Sequence, residues 1–290
     1  MDRQTQWPTI LIALLVPAFL VAQPTLEQTW ELGEGLDRPE SVIYHKDTGA
    51  LYVSNIKGSP SVTDGNGYLS TVSLEGHMLE EKWVTGLDAP KGMAIYGDTL
   101  YVSDITNLVA IEIPTGTILK RYPASGAKFL NDVAADRKGR VYVSDSGAGI
   151  LYRLVNGELD VWLKTDAVTS PNGIYTTAGN LIVAAADGDA GDPGSMRYLK
   201  QVNYKSKKVR GIPPAEPIGG LDGVESDGRD GYFLTGWIDA TVWHFLPGEG
   251  ATVLREISQG TADIDYIHEK NLLLLPVMMS NQLIAFRVIF

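Results

Sequence analysis

Six short polar segments recur along this chain, and they carry the side chains best suited to chemistry. They are Pro39-Glu40-Ser41, Pro90-Lys91-Gly92, Leu130-Asn131-Asp132, Pro171-Asn172-Gly173, Leu221-Asp222-Gly223 and Ala262-Asp263-Ile264. With Glu40, Lys91, Asn131, Asn172, Asp222 and Asp263 as anchors, the spacings are 51, 40, 41, 50 and 41 residues. The sixth register is open, since Ala262 fits as well as Asp263. Carboxylate and amide oxygens are hard ligands that suit Ca²⁺, Mg²⁺ or Mn²⁺. If the anchors meet, two or three carboxylates face each other at high cost, and a divalent cation resolves it. The alternative is a set of polar caps on strand ends beside a wet channel. The anchors alone leave both readings open.

The elements around the anchors say why they should meet. An apolar pair follows each anchor. A strand-like run then ends in a small residue twelve to fourteen positions on, at Ser54, Ser103, Ser144, Ala184 and Thr235. In the sixth copy the run is Leu272 to Leu275. Further strand-like segments follow, such as 71–74, 82–84, 108–113, 118–122, 150–154 and 159–163. Turn residues separate them, as in Glu75-Gly76, Thr115-Gly116, Asn156-Gly157 and Gly248-Glu249-Gly250. A period near forty with about four short strands predicts an all-β, six-bladed β-propeller of antiparallel blades over 25–290. No long helical period competes with it. The first strand of each blade lines a propeller's axis, so the anchors should ring the tunnel mouth. The last copy has only three strands. The spare segment 25–32 is expected to add as its fourth and close the ring, removing two sheet edges.

Composition narrows the function classes. The net charge is −11 and the pI about 4.8, which argues against nucleic-acid partners. There is no cysteine, so disulfides, thiolate zinc sites and a cysteine nucleophile are excluded. At the N-terminus, Arg3 precedes an apolar run from Ile10 to Val21, then Ala22 and Gln23. This reads as a signal peptide over 1–22, with cleavage after Ala22, the alternative being an uncleaved anchor; it predicts a periplasmic or secreted protein with no stable membrane span after processing. No G-x-S-x-G elbow, H-E-x-x-H pair or phosphate loop is present. Two long loops are expected, at 57–68 and at 187–196. The second holds Asp187, Asp189 and Asp192 but lacks a closing glutamate, and reads as a solvated turn. Trp83, Trp162, Trp237 and Trp243 read as packing.

The chain resembles the gluconolactonase and senescence-marker (regucalcin-like) family, distant relatives of the paraoxonases. The likeness rests on Pro39-Glu40-Ser41, Leu130-Asn131-Asp132, Ser170-Pro171-Asn172-Gly173 and Leu221-Asp222-Gly223, in order, each opening a blade. The resemblance implies one divalent cation on Glu40, Asn172 and Asp222, most simply Ca²⁺, with Mg²⁺, Mn²⁺ or Zn²⁺ as alternatives. It implies Asn131 near the metal, contacting substrate or water there, and hydrolysis of a cyclic ester, sugar lactones among the candidates. Such a cation polarises a carbonyl. Asp222 is the candidate base and Asp132 a second one, more readily a turn-stabilising residue. Lys91 is a candidate contact to an anionic substrate, or it simply neutralises the acidic ring.

The pattern also departs from the family. Its substrate-contacting arginine has no clear counterpart, and the sixth blade is unlike that of a sugar lactonase. No histidine stands among the anchors; His45, His77, His244 and His268 read as structural. Two functions remain, a metal-dependent lactonase and a non-catalytic binding propeller with a structural metal. A strictosidine-synthase-like role without metal is less attractive, because the anchors pair Asn with Asp.

Overall fold

The computed structural model describes residues 23–187 and 196–290. The predicted signal peptide, and Asp189 and Asp192 of the long loop, lie outside the described residues.

Alternation and turn chemistry set the strands. The second strand of blade one, Ala50–Asn55, and that of blade three, Val141–Asp145, are buried along their whole length. Both of their faces meet neighbouring blades, so they are rich in branched and aromatic residues. Outer strands such as Thr117–Pro123 are mostly exposed. Strands Ile150–Val155 and Glu158–Lys164 are joined by Asn156-Gly157, both at positive φ, which is the backbone a two-residue hairpin needs.

Among the described residues, twenty-four strands form six four-stranded sheets, each antiparallel. The innermost strands are Pro39–His45, Pro90–Tyr96, Leu130–Ala135, Ile174–Thr176, Leu221–Ser226 and Asp265–Ile267. Strand Thr25–Leu32 pairs with Gln282–Ile289 and completes the sixth sheet, as the sequence predicted. The first long loop is shorter than expected, because Gly67 and Tyr68 already pair in the third strand of blade one.

Among the described residues there is no single central core. Six apolar clusters lie between adjacent blades, from Tyr52, Leu69 and Met93 between blades one and two to Val42, Leu274 and Ala285 between six and one. Each wedge is a separate hydrophobic seam, and the ring holds because every blade is glued on two sides. Polar contacts join the closure: Asp263 N–H donates to the Glu40 carbonyl at 2.9 Å, and Ser41 Oγ to Asp263 Oδ2 at 2.8 Å. Among the described residues no helix is long and apolar enough to cross a membrane.

Candidate functional site

A local irregularity in four of the blades aims their anchors. The register shifts between Pro39 and Ser41, Pro90 and Met93, Leu130 and Val133, and Leu221 and Val224. Such bulges release one N–H from the ladder and redirect a side chain. The small residue at the end of the second strand takes up the released group. Ser54, Ser144 and Thr235 accept from the backbone N–H groups of Ser41, Asp132 and Gly223 at 3.0, 2.9 and 2.8 Å. Ser103 Oγ donates instead to the Asn131 carbonyl. The sequence shows these small residues; their role becomes visible only across strands.

The structure brings five anchors together. Glu40, Lys91, Asn131, Asn172 and Asp222 line one cavity of about 520 Å³ at the tunnel mouth, and all are buried. The sixth register is settled as Ala262. Ser41 stands level with Asp263 in a parallel bridge, so Glu40 is level with Ala262. Asp263 belongs to a second layer beneath the ring, with Ser41, Gly92, Asp132, Gly173 and Gly223. The glycines there permit close approach: a Cβ on Gly173 would lie 2.1 Å from the Asp222 carbonyl oxygen. Below this layer is a smaller cavity of about 150 Å³, lined by Asp132, Asp263, Asp265 and Glu225 among others.

Asp132, expected to stabilise a turn, lies instead within strand Leu130–Ala135 and acts between blades. Its Oδ1 accepts from Val133 N–H and its Oδ2 from Ile174 N–H, both at 2.6 Å, tying blade three to blade four. It faces the lower cavity, away from the other candidates.

The donor set fits a hard cation. Glu40 Oε2 and Asn172 Oδ1 are both buried with no hydrogen-bond partner. Orphaned oxygens of this kind are costly unless something binds them. The Asn172 side chain hydrogen-bonds Asp222, leaving that Oδ1 unused. Among the described residues no three His, Asp or Glu side chains cluster tightly enough to hold a metal by themselves. The candidate set is a mixed one, two carboxylates and an amide.

The electrostatics agree with a place waiting for positive charge. Burial, with Asp222 and Asp263 adding to it, holds the Glu40 carboxyl well above its usual range, against the pull of Lys91. Burial raises Asp222 to about 6, although Arg197 and the Asn172 hydrogen bond favour its ionised form. Lys91 is pushed down to about 8 by burial, opposed by Glu40 and Asp104. Its Nζ donates to the Ala89 carbonyl at 2.9 Å and lies 4.4 Å from the centre of the Phe129 ring. Asn131 Nδ2 donates to Ser146 Oγ at 3.1 Å, and that hydroxyl donates to the Pro171 carbonyl at 2.6 Å.

Arg197 and Trp237 are among the cavity residues that escaped the sequence reading. Arg197 is buried, and it donates to the Ser170 carbonyl (3.1 Å), Ser170 Oγ (3.2 Å) and the Leu221 carbonyl (3.2 Å). It thus ties together the segments bearing Asn172 and Asp222. It precedes the third strand of blade four, Tyr198–Asn203, so the anchor repeat gives no signal for it. Trp237, read as packing, lines the cavity. The other three tryptophans do pack in interblade clusters. Of the histidines, His244 Nε2 pairs with Asp227 Oδ2 at 2.9 Å and His45 Nδ1 with Thr48 Oγ1 at 3.1 Å. None lines the cavity.

Fold and cavity together define a six-bladed propeller with an oxygen-rich axial pocket. A family model described as "SMP-30/Gluconolactonase/LRE-like region" matches residues 38–264, and the chain belongs to that family. No curated protein matches it. Among solved structures, a catalytically inactive virginiamycin B lyase from Staphylococcus aureus, crystallised with quinupristin, is similar at a TM-score of 0.60 and 12% identity, covering 92% of this chain and 100% of that one. At that identity the likeness is one of fold.

Proposed function

We propose that this protein is a divalent-cation-dependent hydrolase of cyclic esters. Glu40, Asn172 and Asp222 are the cation ligands, with Ca²⁺ the first choice and Mg²⁺, Mn²⁺ or Zn²⁺ as alternatives. The observation that carries the reading is the pair of orphaned buried oxygens, Glu40 Oε2 and Asn172 Oδ1, in the cavity that Asp222 also lines. Membership of a family that includes lactonases supports the reaction class.

A bound cation would supply Lewis acidity at the ester carbonyl and offset the two carboxylates. The remaining tasks fall to the chain's own groups. Asp222, which lines the cavity beside Glu40 and Asn172, is placed to accept a proton from water as it adds to the carbonyl carbon. The ring C–O bond then breaks, the proton passes to the leaving alkoxide, and a hydroxy acid results. Asn131, steadied by Ser146, orients the substrate. Lys91 offsets negative charge developing above the ring. The apolar run near the N-terminus supports export to the periplasm or outside the cell.

The test is a lactone panel assayed in chelator and with each added cation, using wild type, Glu40→Gln and Asp222→Asn. Turnover should need the cation and fall by about 100-fold or more in either variant, with the fold retained. Turnover indifferent to cation and to both substitutions would refute the site. No turnover of any lactone would leave the non-catalytic propeller as the reading.

A further inference from the structure

A second ring of equivalent positions lies above the anchors. The residue that follows the second strand of each blade is, in blade order, Ile56, Ile105, Ser146, Ala186, Trp237 and Met278. The four bulky members fall on consecutive blades: five, six, one and two. They meet in one apolar cluster, with Ile56, Ile105 and Met278 buried and Trp237 packed against them. Ile56, Trp237 and Met278 line the cavity directly, joined by Pro60 and Phe129. The two small members mark the polar side, where Asn131, Asn172 and Arg197 stand. The cavity therefore has two halves, one of hydrocarbon and aromatic surface and one of oxygen and nitrogen.

Much of the polar half is already engaged with the protein itself. Lys91 Nζ is bonded to Ala89 and covered by Phe129. Asn131 Nδ2 and the Ser146 hydroxyl are engaged with one another and with Pro171. Three of the five N–H groups of Arg197 go to Ser170 and Leu221. The unpartnered oxygens, on Glu40 and Asn172, belong to the proposed cation site. A polyhydroxylated ring carries hydroxyls around its whole rim, so with its ester over Glu40, Asn172 and Asp222 it would set some of them against Ile56, Trp237 and Met278. Burying hydroxyls without partners is costly, whereas burying methylenes against such a wall is favourable.

We propose that this cavity accepts a cyclic ester bearing a hydrocarbon substituent, aliphatic or aromatic, in place of a sugar lactone. The ester lies over Glu40, Asn172 and Asp222, and the substituent lies against Ile56, Trp237 and Met278. A volume of about 520 Å³ is in the range of small-molecule sites. The proposal rests on the hydrolase reading above and adds to it which substrate class the same site takes.

The experiment compares kcat/KM for γ-lactones with alkyl chains of increasing length, and for glucono-δ-lactone, in Ca²⁺. Each added methylene should raise kcat/KM by about three- to four-fold until the wall is covered. The sugar lactone should fall at or below the unsubstituted ring. Trp237→Ala and Met278→Ser should flatten the chain-length slope. A flat series in wild type, or a preference for the sugar lactone, overturns the substrate class while leaving the hydrolase standing. If no lactone is hydrolysed, the hydrolase reading fails. Binding of the matching alkyl γ-lactams, followed by calorimetry, then decides the cavity. Affinity rising with chain length upholds the apolar wall, and absence of binding overturns it.

Discussion

Replacing Asp222 by asparagine should stabilise the cation-free protein while abolishing its stabilisation by cation. The side chain is 5% exposed, and burial raises its carboxyl from 3.8 to about 6. A group whose folded value is raised binds its proton more tightly when folded. Its contribution is therefore complete below pH 3.8 and is lost as pH climbs through about 6. A tenfold change in a proton equilibrium is worth about 1.4 kcal/mol, so ionising Asp222 at pH 7 costs the folded state about 3 kcal/mol. Asparagine carries no such charge but keeps a polar group that still needs a partner. About 1–3 kcal/mol should remain as net gain, or several degrees in Tm.

The assay is thermal unfolding of wild type and Asp222→Asn in chelator from pH 4 to 8, repeated with Ca²⁺. The variant's advantage should be near zero at pH 4 and full at pH 7. In Ca²⁺ the order should reverse. A cation at a thousand times its dissociation constant adds about 4 kcal/mol to wild type, and little to the variant. A variant less stable than wild type in chelator at pH 7, or equally stabilised by Ca²⁺, would show that Asp222 is not a strained, cation-seeking carboxylate.

Other consequences are simpler to read. Gly173→Ala places a methyl 2.1 Å from the Asp222 carbonyl oxygen, and should cost about 2 kcal/mol or more in chemical denaturation and displace both ligand segments. Arg197→Met leaves the Ser170 and Leu221 carbonyls unpaired; Ca²⁺ affinity by calorimetry should drop about tenfold, with stability about 3 kcal/mol lower. Far from the site, burial opposes ionisation of Asp227, but hydrogen bonds from His244, Arg229 N–H and Gly231 N–H outweigh it and lower its pKa. That contribution is present above the ordinary carboxylate value and lost as pH falls through the lowered one. Asp227→Asn should thus be about 1–2 kcal/mol less stable than wild type at pH 7, with the gap closing in acid.

Much of this protein is legible in one dimension. Strand alternation and turn residues such as Asn156-Gly157 are local, so blades, their number and the closing strand 25–32 could be read from spacing alone. Equivalent positions of a repeat converge by symmetry, and five of the six anchors did so. Other features required the folded chain. Whether Ala262 or Asp263 completes the ring depends on one residue of register between two blades, and either is compatible with the strand pattern. Arg197 enters from outside the repeat, across the gap between blades four and five. The collar residues Ile56, Trp237 and Met278 lie in the sequence where packing residues lie, and only their direction makes them a wall. The sequence named carboxylates that would face each other, but which oxygens are left orphaned and how strongly the carboxyls are raised it did not show. Both arise from desolvation, and how much water a carboxylate keeps is set by everything packed around it.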